Sequence, residues 1–244
     1  MSSARGRLAR IVLAIASLSM VFVAIGSLSI GTVAHAQDRC AIPGVASGIT
    51  VTVRAEGERG YRRVRLEQPT RVEITPMRPG ITGVRVLEGD TVVDGTTGAD
   101  FQVVLARAIS LRGGAVELPA GLPIERLRPA PGGPWVEIDA AIGDDLFLRG
   151  AAVPCSELAI LSGEPSITAL TAIDARGPSW RARTTRLALF DVRDGDESIR
   201  IDVAPGAGAR FVELSRRTPW VDVALRTSLG ARLRGWVHDW DLVR

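Results

Sequence analysis

The sequence contains no lysine, so all 30 of its basic residues are arginines. This absence excludes mechanisms that use a side-chain amine as nucleophile. Histidine and cysteine are also scarce, with two of each. Because His35 lies in an N-terminal targeting segment, a catalytic triad or a clustered zinc site would depend on His238 alone. We therefore expect no enzyme activity, no catalytic residue, no metal site and no cofactor.

Residues 1–36 have the three parts of a secretory signal peptide. Three arginines and no acid precede an apolar run over residues 11–33, and Ala34-His35-Ala36 follows as a cleavage site. Cleavage after Ala36 predicts a periplasmic or secreted protein. The apolar run is longer than usual and long enough to cross a bilayer, so an uncleaved anchor is the alternative. Only in that case do we expect contact with a membrane.

The charge balance of the rest of the chain argues against nucleic-acid partners. Residues 1–36 account for three arginines and no acid, which leaves 27 basic and 27 acidic residues after them. A neutral chain has no basic footprint for nucleic acid or for an anionic membrane. Two cysteines remain, Cys40 and Cys155, and their even number in an oxidising compartment predicts one disulfide. Two unpaired buried thiols are the alternative.

After Gln37 the chain alternates apolar and polar residues with a period of two. Such alternation puts apolar side chains on one face of a strand and charged side chains on the other. Clusters of glycine and proline separate these segments, as expected for short strands joined by turns. The clearest segments are residues 51–53, 72–74, 84–86, 116–118, 136–138, 199–203 and 221–223. The sequence predicts an all-β protein made of sandwiches or barrels.

An internal repeat organises the second half of the chain. Trp135-Val136-Glu137-Ile138 matches Trp220-Val221-Asp222-Val223, and Leu148-Arg149-Gly150 matches Leu233-Arg234-Gly235. Both matches have an offset of 85 residues. A weaker copy precedes them and lacks a tryptophan at the matching strand. We predict a signal peptide at 1–36, an N-terminal β domain at 37–102, repeat units at 103–160 and 186–244, and a linker at 161–185 that also holds a competing start for the last unit.

The last unit resembles the bacterial SH3 (SH3b) family in the order of its motifs. These are Val192-Arg193-Asp194-Gly195, Pro205-Gly206, Trp220-Val221-Asp222-Val223 and Gly235-Trp236-Val237. The middle unit has Ala151 and Ala152 in place of the second tryptophan, and Ser156 in place of Trp240. The resemblance implies tandem small SH3-like barrels, two in number or three if the first domain is a divergent copy. It also implies a module that binds a cell-wall peptide, a glycan or an envelope protein.

The tryptophans give the strongest indication of a binding site. Trp135 and Trp220 alternate with acids on a strand and are predicted to lie in the core. Trp236 and Trp240 are four residues apart, so they share one face if the strand stays extended. With Asp239 and Asp241 beside them, they form a candidate groove for a peptide or glycan. Local packing of the chain terminus is the alternative.

Other polar residues are assigned structural roles. His238, between Val237 and Asp239, is predicted to be an exposed loop residue. The acidic cluster Asp191, Asp194, Asp196 and Glu197 lacks the glycine position of a calcium loop, so Asp194-Gly195 is predicted to be a tight turn. Asp144-Asp145 is predicted to be another turn. The alternative to a binding module is a structural spacer, held at the membrane by an uncleaved N-terminal helix and without a ligand of its own.

Overall fold

The computed structural model describes residues 39–54, 60–130, 133–171 and 176–244. In these residues the segments that alternate apolar and polar side chains form β-strands. The strands form several antiparallel sheets, so the prediction of an all-β protein is confirmed. The signal peptide and the anchor predicted over residues 11–33 lie outside the described residues. Within the described ranges, no helix has the length and apolar character needed to cross a membrane.

The N-terminal part of the fold is a six-stranded sheet. Its strands are β1 (Ile42–Ala46), β2 (Ile49–Arg54), β3 (Tyr61–Leu66), β4 (Thr70–Arg78), β5 (Ile81–Glu88) and β6 (Thr91–Thr97). They lie in the order β1-β4-β5-β6-β2-β3. Alternate residues point inward, so that Val72 faces Val86 and Ile74 faces Val84 across β4 and β5, and all four are buried.

The middle unit begins directly after this sheet. Its strands are β7 (Val103–Leu105), β8 (Ile109–Leu111), β9 (Val116–Leu118), β10 (Pro123–Ile124), β11 (Arg126–Pro129), β12 (Trp135–Gly143), β13 (Leu146–Pro154) and β14 (Leu158–Ile160). A 3-10 turn precedes β9 at Arg112–Gly114, and a second joins β13 to β14 at Cys155–Glu157. Asp144-Asp145 connects β12 to β13, so the predicted turn is confirmed.

The last unit repeats this plan. Its strands are β15 (Ser179–Ala182), β16 (Arg186–Phe190), β17 (Ser198–Val203), β18 (Phe211–Arg217), β19 (Trp220–Arg226), β20 (Arg232–His238) and β21 (Leu242–Val243), and its 3-10 turn is Asp239–Asp241. Part of the predicted linker is therefore a strand. β15 pairs with β18 and β21, which makes it the opening strand of the last unit.

The two repeat units share most of their strand pairing. In the middle unit, β7 pairs with β10 and β14 while β11, β12 and β13 form a meander. In the last unit, β15 pairs with β18 and β21 while β18, β19 and β20 form the meander. Equivalent backbone bonds hold the 3-10 turns. They run from the N–H of Cys155 to the oxygen of Pro134 (2.8 Å) and from the N–H of Asp239 to that of Pro219 (2.9 Å).

The N-terminal sheet follows the same order but lacks the final element. β1 pairs with β4, β4 to β6 form a meander, and β6 pairs back onto β2 as β20 pairs onto β16. A glycine on β6 and another on β20 allow these strands to approach β2 and β16 closely. A Cβ at Gly95 would lie 2.7 Å from the Thr52 oxygen, and one at Gly235 would lie 2.4 Å from the Phe190 oxygen. After β6 the described chain runs directly to β7 without a 3-10 turn or closing strand of its own.

A pseudo-two-fold arrangement joins the middle and last units. β13 pairs with β17, which places Leu148 opposite Ile201, and β20 pairs with β9, which places Leu233 opposite Val116. The repeat offset of 85 residues converts the first pair into the second. All four side chains are buried. The two units therefore share one continuous sheet through an interface of the self-complementary kind that two-fold symmetry produces.

A disulfide fastens the N-terminal sheet to the middle unit. Cys40, just before β1, is bonded to Cys155 in the 3-10 turn after β13, with their Cα atoms 5.3 Å apart. The predicted disulfide is thus confirmed, and both thiols of the described chain are used. A disulfide is typical of proteins that reside in an oxidising environment outside the cytoplasm.

Candidate functional site

Five aromatic side chains of the last unit form one surface, called the aromatic face here. It consists of Phe190, Trp220, Trp236, His238 and Trp240. Strand pairing assembles it, because β20 places His238 opposite Trp220 on β19 and Trp236 opposite Phe190 on β16. Trp236 and His238 are two residues apart on one strand and so point to the same side of the sheet.

The rings of the aromatic face are stacked from the interior to the surface. Trp220 is only 7% exposed and lies 3.9 Å from His238, centroid to centroid, and Phe190 meets Trp220 edge-on at 5.2 Å. Trp240 stacks on His238 at 4.1 Å with an angle of 12° between the ring planes. Trp240 is 53% exposed, so a large flat ring is held at the surface on a packed support. Such an arrangement reduces the entropy that a ligand contact would cost.

Trp236 and Trp240 lie in the same region, as predicted, but Trp240 is in a 3-10 turn and not in the strand. The strand does not stay extended through residue 240. It ends at His238, and the 3-10 turn Asp239–Asp241 carries Trp240 back over the His238 ring. Among the described residues, ring contacts link Trp240 to His238 but not to Trp236. Trp236 is half-buried beside this stack.

The acids of the candidate site differ in their surroundings. Asp239 lies 3.8 Å from the guanidinium of Arg216, in a half-exposed ion pair. Burial raises the pKa of Asp241, and the opposing influence of His238 does not cancel that rise. Burial also raises the pKa of Asp222, which lies opposite Trp236, against a smaller influence from Arg234. The aromatic face therefore carries poorly solvated carboxyl groups that suit hydrogen bonding to a ligand amide or hydroxyl.

The prediction that His238 is an exposed loop residue is wrong. His238 ends β20 and is half-buried between the indoles of Trp220 and Trp240. Its Nδ1 atom is buried and has no hydrogen-bond partner. The repeat contains a signal for this position, because the middle unit has Pro154 at the end of the matching strand. An apolar ring at that position in one unit indicates a packed site in the other.

The predictions for the two repeated tryptophans have different outcomes. Trp220 is buried, as predicted, but Trp135 is 43% exposed, so its assignment to the core is wrong. The cause lies at the end of the next strand and in the 3-10 turn after it. Pro154 and Ser156 stand where the last unit has His238 and Trp240, so the middle unit has no stacked rings to cover its tryptophan. The aromatic face is thus specific to the last unit.

The acidic cluster forms a turn between β16 and β17. The N–H of Gly195 donates to the oxygen of Val192 over 3.3 Å, so the predicted turn is confirmed. Asp194 pairs with Arg193, and Glu197 pairs with Arg112 of the middle unit. Within the described ranges, no group of three or more histidine, cysteine or acidic residues is arranged to hold a metal ion.

Comparisons with protein-family models, with curated proteins and with solved structures find no match to this chain. The internal repeat and the geometry of the described residues are therefore the grounds on which a function can be assigned.

Proposed function

We propose that this chain is a non-enzymatic, exported SH3-like repeat protein that binds a ligand of the cell envelope through its aromatic face. The observation that carries the proposal is the stack of Trp220, His238 and Trp240, which ends in a half-exposed indole. An exposed indole on a rigid support is the kind of anchor that dominates binding energy at recognition surfaces.

Two features support the SH3-like assignment. In each repeat unit the opening strand pairs with the closing strand and with a second strand, which is β10 in the middle unit and β18 in the last unit. A 3-10 turn precedes the closing strand in both units, at the same place relative to the repeated tryptophan. These features agree with the order of motifs on which the resemblance to the bacterial SH3 family rests.

The chemistry of the described side chains favours binding over catalysis. Cys40 and Cys155 are consumed in the disulfide, so neither is a thiol nucleophile. His238 is enclosed by two indoles and its Nδ1 atom has no carboxylate to orient it, in contrast to the histidine of a catalytic triad. The role that remains for this histidine is to support the exposed ring of Trp240.

The ligand classes that suit the aromatic face are cell-wall peptides, glycans and envelope proteins. A flat indole buries area against a sugar ring or a peptide plane at low entropic cost. The half-buried carboxyl groups of Asp222 and Asp241 can meet the hydroxyl or amide groups of such ligands.

Replacing Trp240 tests the proposal. We expect Trp240→Ala to weaken binding of the exported chain to purified cell wall by at least tenfold, about 1.4 kcal/mol, because the stack then ends at His238. The measurement is the amount of protein sedimented with the cell wall over a range of wall concentrations. Tyr61→Ala is the matched control, since Tyr61 is 76% exposed on β3 of the N-terminal sheet. Equal binding by Trp240→Ala and by Tyr61→Ala would remove the aromatic face from the proposal.

The location is part of the same proposal, and it separates the binding module from an anchored spacer. We expect N-terminal sequencing of the protein recovered from outside the cytoplasm to begin at Gln37. The reason is that Ala34-His35-Ala36 precedes that residue as a cleavage site. A mature protein that begins at Met1 and sediments with membranes would instead favour the spacer held by residues 11–33.

A further inference from the structure

The middle unit lacks one strand pairing that the last unit has. In the last unit, β16 pairs with β20 through Phe190 and Trp236. β8 corresponds to β16, because each forms a hairpin with the strand that follows it, and at the offset of 85 residues Trp236 corresponds to Ala151 of β13. Among the described strands, β8 pairs with β9 alone, and the second half of β13 pairs with β12 alone. The pairing that closes the last unit is therefore missing from its repeat.

A cavity of about 970 Å³ occupies this opening, and we call it the slot. Its lining includes residues 107–112 at β8, residues 149–152 with Pro154 on β13, and residues 198–200 at the start of β17. The lining has small side chains at Ala151 and Ala152, where the last unit has a tryptophan. The exposed ring of Trp135 is also part of the lining. The volume and the two strand edges in its lining together define a site of ligand-binding size.

We propose that the slot binds an extended segment of a partner protein, which adds a β-strand between β8 and β13. One edge of β8 is unoccupied by any described strand, and so is the edge of β13 beyond Arg149 that faces away from β12. Such edges present N–H and C=O groups to an incoming chain. The free part of the β13 edge runs from Ala151 to Val153, about 10 Å of extended chain, because the Gly150 N–H donates to Asp139 and Pro154 has no N–H. The pairing of β16 with β20 in the last unit supplies an example of the closure that the partner segment would complete.

The charges around the slot indicate that the partner segment is acidic. Four arginines contribute to the lining, against one acid, Glu157. The arginines are Arg107, Arg112, Arg149 and Arg200, with 29–69% of each side chain exposed. Their present partners are carboxylates of this chain, in pairs such as Arg112–Glu197 and Arg200–Asp202. The Arg112–Glu197 pair is exposed on both sides and so contributes little, which lets an arriving carboxylate replace Glu197 at low cost.

The experiment measures fluorescence anisotropy of a labelled peptide, Glu-Val-Glu-Ala-Glu-Val-Glu, with the exported chain. We expect saturable binding. Binding should weaken at least tenfold when arginine replaces glutamate in the peptide, and at least tenfold when alternate backbone nitrogens of the peptide are methylated. The second loss is specific to strand addition, because methylation removes main-chain donors and leaves the side chains in place.

Variants of the protein complete the test. Ala151→Trp puts into the slot the side chain that the last unit has at Trp236, and we expect it to weaken peptide binding at least tenfold. Ser47→Trp, at an exposed turn of the N-terminal sheet, is the matched control and should bind as the unaltered chain does. Arg112→Glu reverses a half-exposed charge of the rim and should also weaken binding, which covers the case in which Ala151→Trp does not fold.

Absence of saturable binding, or equal binding of the methylated peptide, would overturn the proposal. The result is independent of the Trp240→Ala experiment, because the slot and the aromatic face share no residue.

Discussion

Replacing Cys40 and Cys155 by alanine is expected to lower the free energy of unfolding by about 4–5 kcal/mol. The bond closes a loop with a sequence separation of 115 residues, and the chain-entropy account gives a stabilisation of that size for so long a loop. The fold offers a second reason for a large effect. The N-terminal sheet has no 3-10 turn or closing strand of its own in the described chain. The disulfide instead ties the start of β1 to the 3-10 turn of the middle unit.

Chemical denaturation at pH 7, with and without reductant, measures this effect. The unaltered chain should lose stability when reductant is added, whereas the double-alanine variant should be equally unstable in both conditions. Hydrogen exchange should show the largest loss of protection in β1 and β4, because the pairing of these strands begins two residues after Cys40. An unfolding free energy that changes by less than about 1 kcal/mol would contradict the tethering role.

Local patterns predicted the strands of this protein correctly. The segment 199–203 alternates apolar and polar residues, and in β17 its apolar residues Ile199, Ile201 and Val203 are buried. The repeat offset also predicted which segments are equivalent, since the strands that carry Trp135 and Trp220 occupy the same place in their meanders. Both results follow from short-range information, because a strand's own residues decide which of its faces is apolar.

Contacts between strands distant in sequence could not be predicted in this way. Alternation shows that Leu148 and Ile201 face a core, but it does not show that β13 and β17 are neighbours. The shared sheet depends on which strand edges remain free after each unit has formed, which is a property of the assembled units. The exposure of Trp135 was missed for a similar reason, since it depends on Pro154 and Ser156 across the meander.

The candidate site was predicted in part. Trp240, Trp236, Asp239 and Asp241 were selected from spacing and from their absence in the middle unit, and the structure places them on or beside the aromatic face. His238 was predicted to be an exposed loop residue, because a single histidine between an apolar and an acidic residue forms no pattern that indicates packing. Its place opposite Trp220 becomes visible only through the register of β19 and β20.

The two repeat units show how one strand plan can give two surfaces. In the last unit, Trp236 lies opposite Phe190 and the hairpin is closed against the meander. In the middle unit, small residues at the matching positions leave the slot open. The buried pairing of Leu148 with Ile201 and of Leu233 with Val116 holds both units in one sheet. A partner in the slot and a ligand on the aromatic face would therefore bind to two units that share one sheet.

Asp139→Ala is expected to lower the free energy of unfolding at pH 7 by about 2–4 kcal/mol. Asp139 is 3% exposed and accepts two hydrogen bonds from Arg128, at 2.8 and 2.9 Å, and one from the N–H of Gly150 at 2.9 Å. The substitution leaves the Gly150 N–H without its acceptor on β12. Arg128 remains partly solvated, which keeps the effect below that of a fully buried pair. Glu137→Ala is the matched control and should cost less than about 1 kcal/mol, because Glu137 pairs with the same arginine over 3.3 Å at an exposed position.

The effect of Asp139 should also depend on pH. Burial acts to raise the pKa of Asp139, but the hydrogen bonds from Arg128 and Gly150 outweigh it and hold the pKa below its ordinary value. A carboxyl group with a lowered pKa in the folded state contributes stability above its unfolded pKa of about 3.9 and loses it as the pH falls through the folded value. Urea unfolding should therefore give a constant difference between the unaltered chain and Asp139→Ala from pH 5 to 7, and a smaller difference below about pH 4. If the difference grew on acidification, the carboxylate of Asp139 would not be the form that stabilises the junction of β11, β12 and β13.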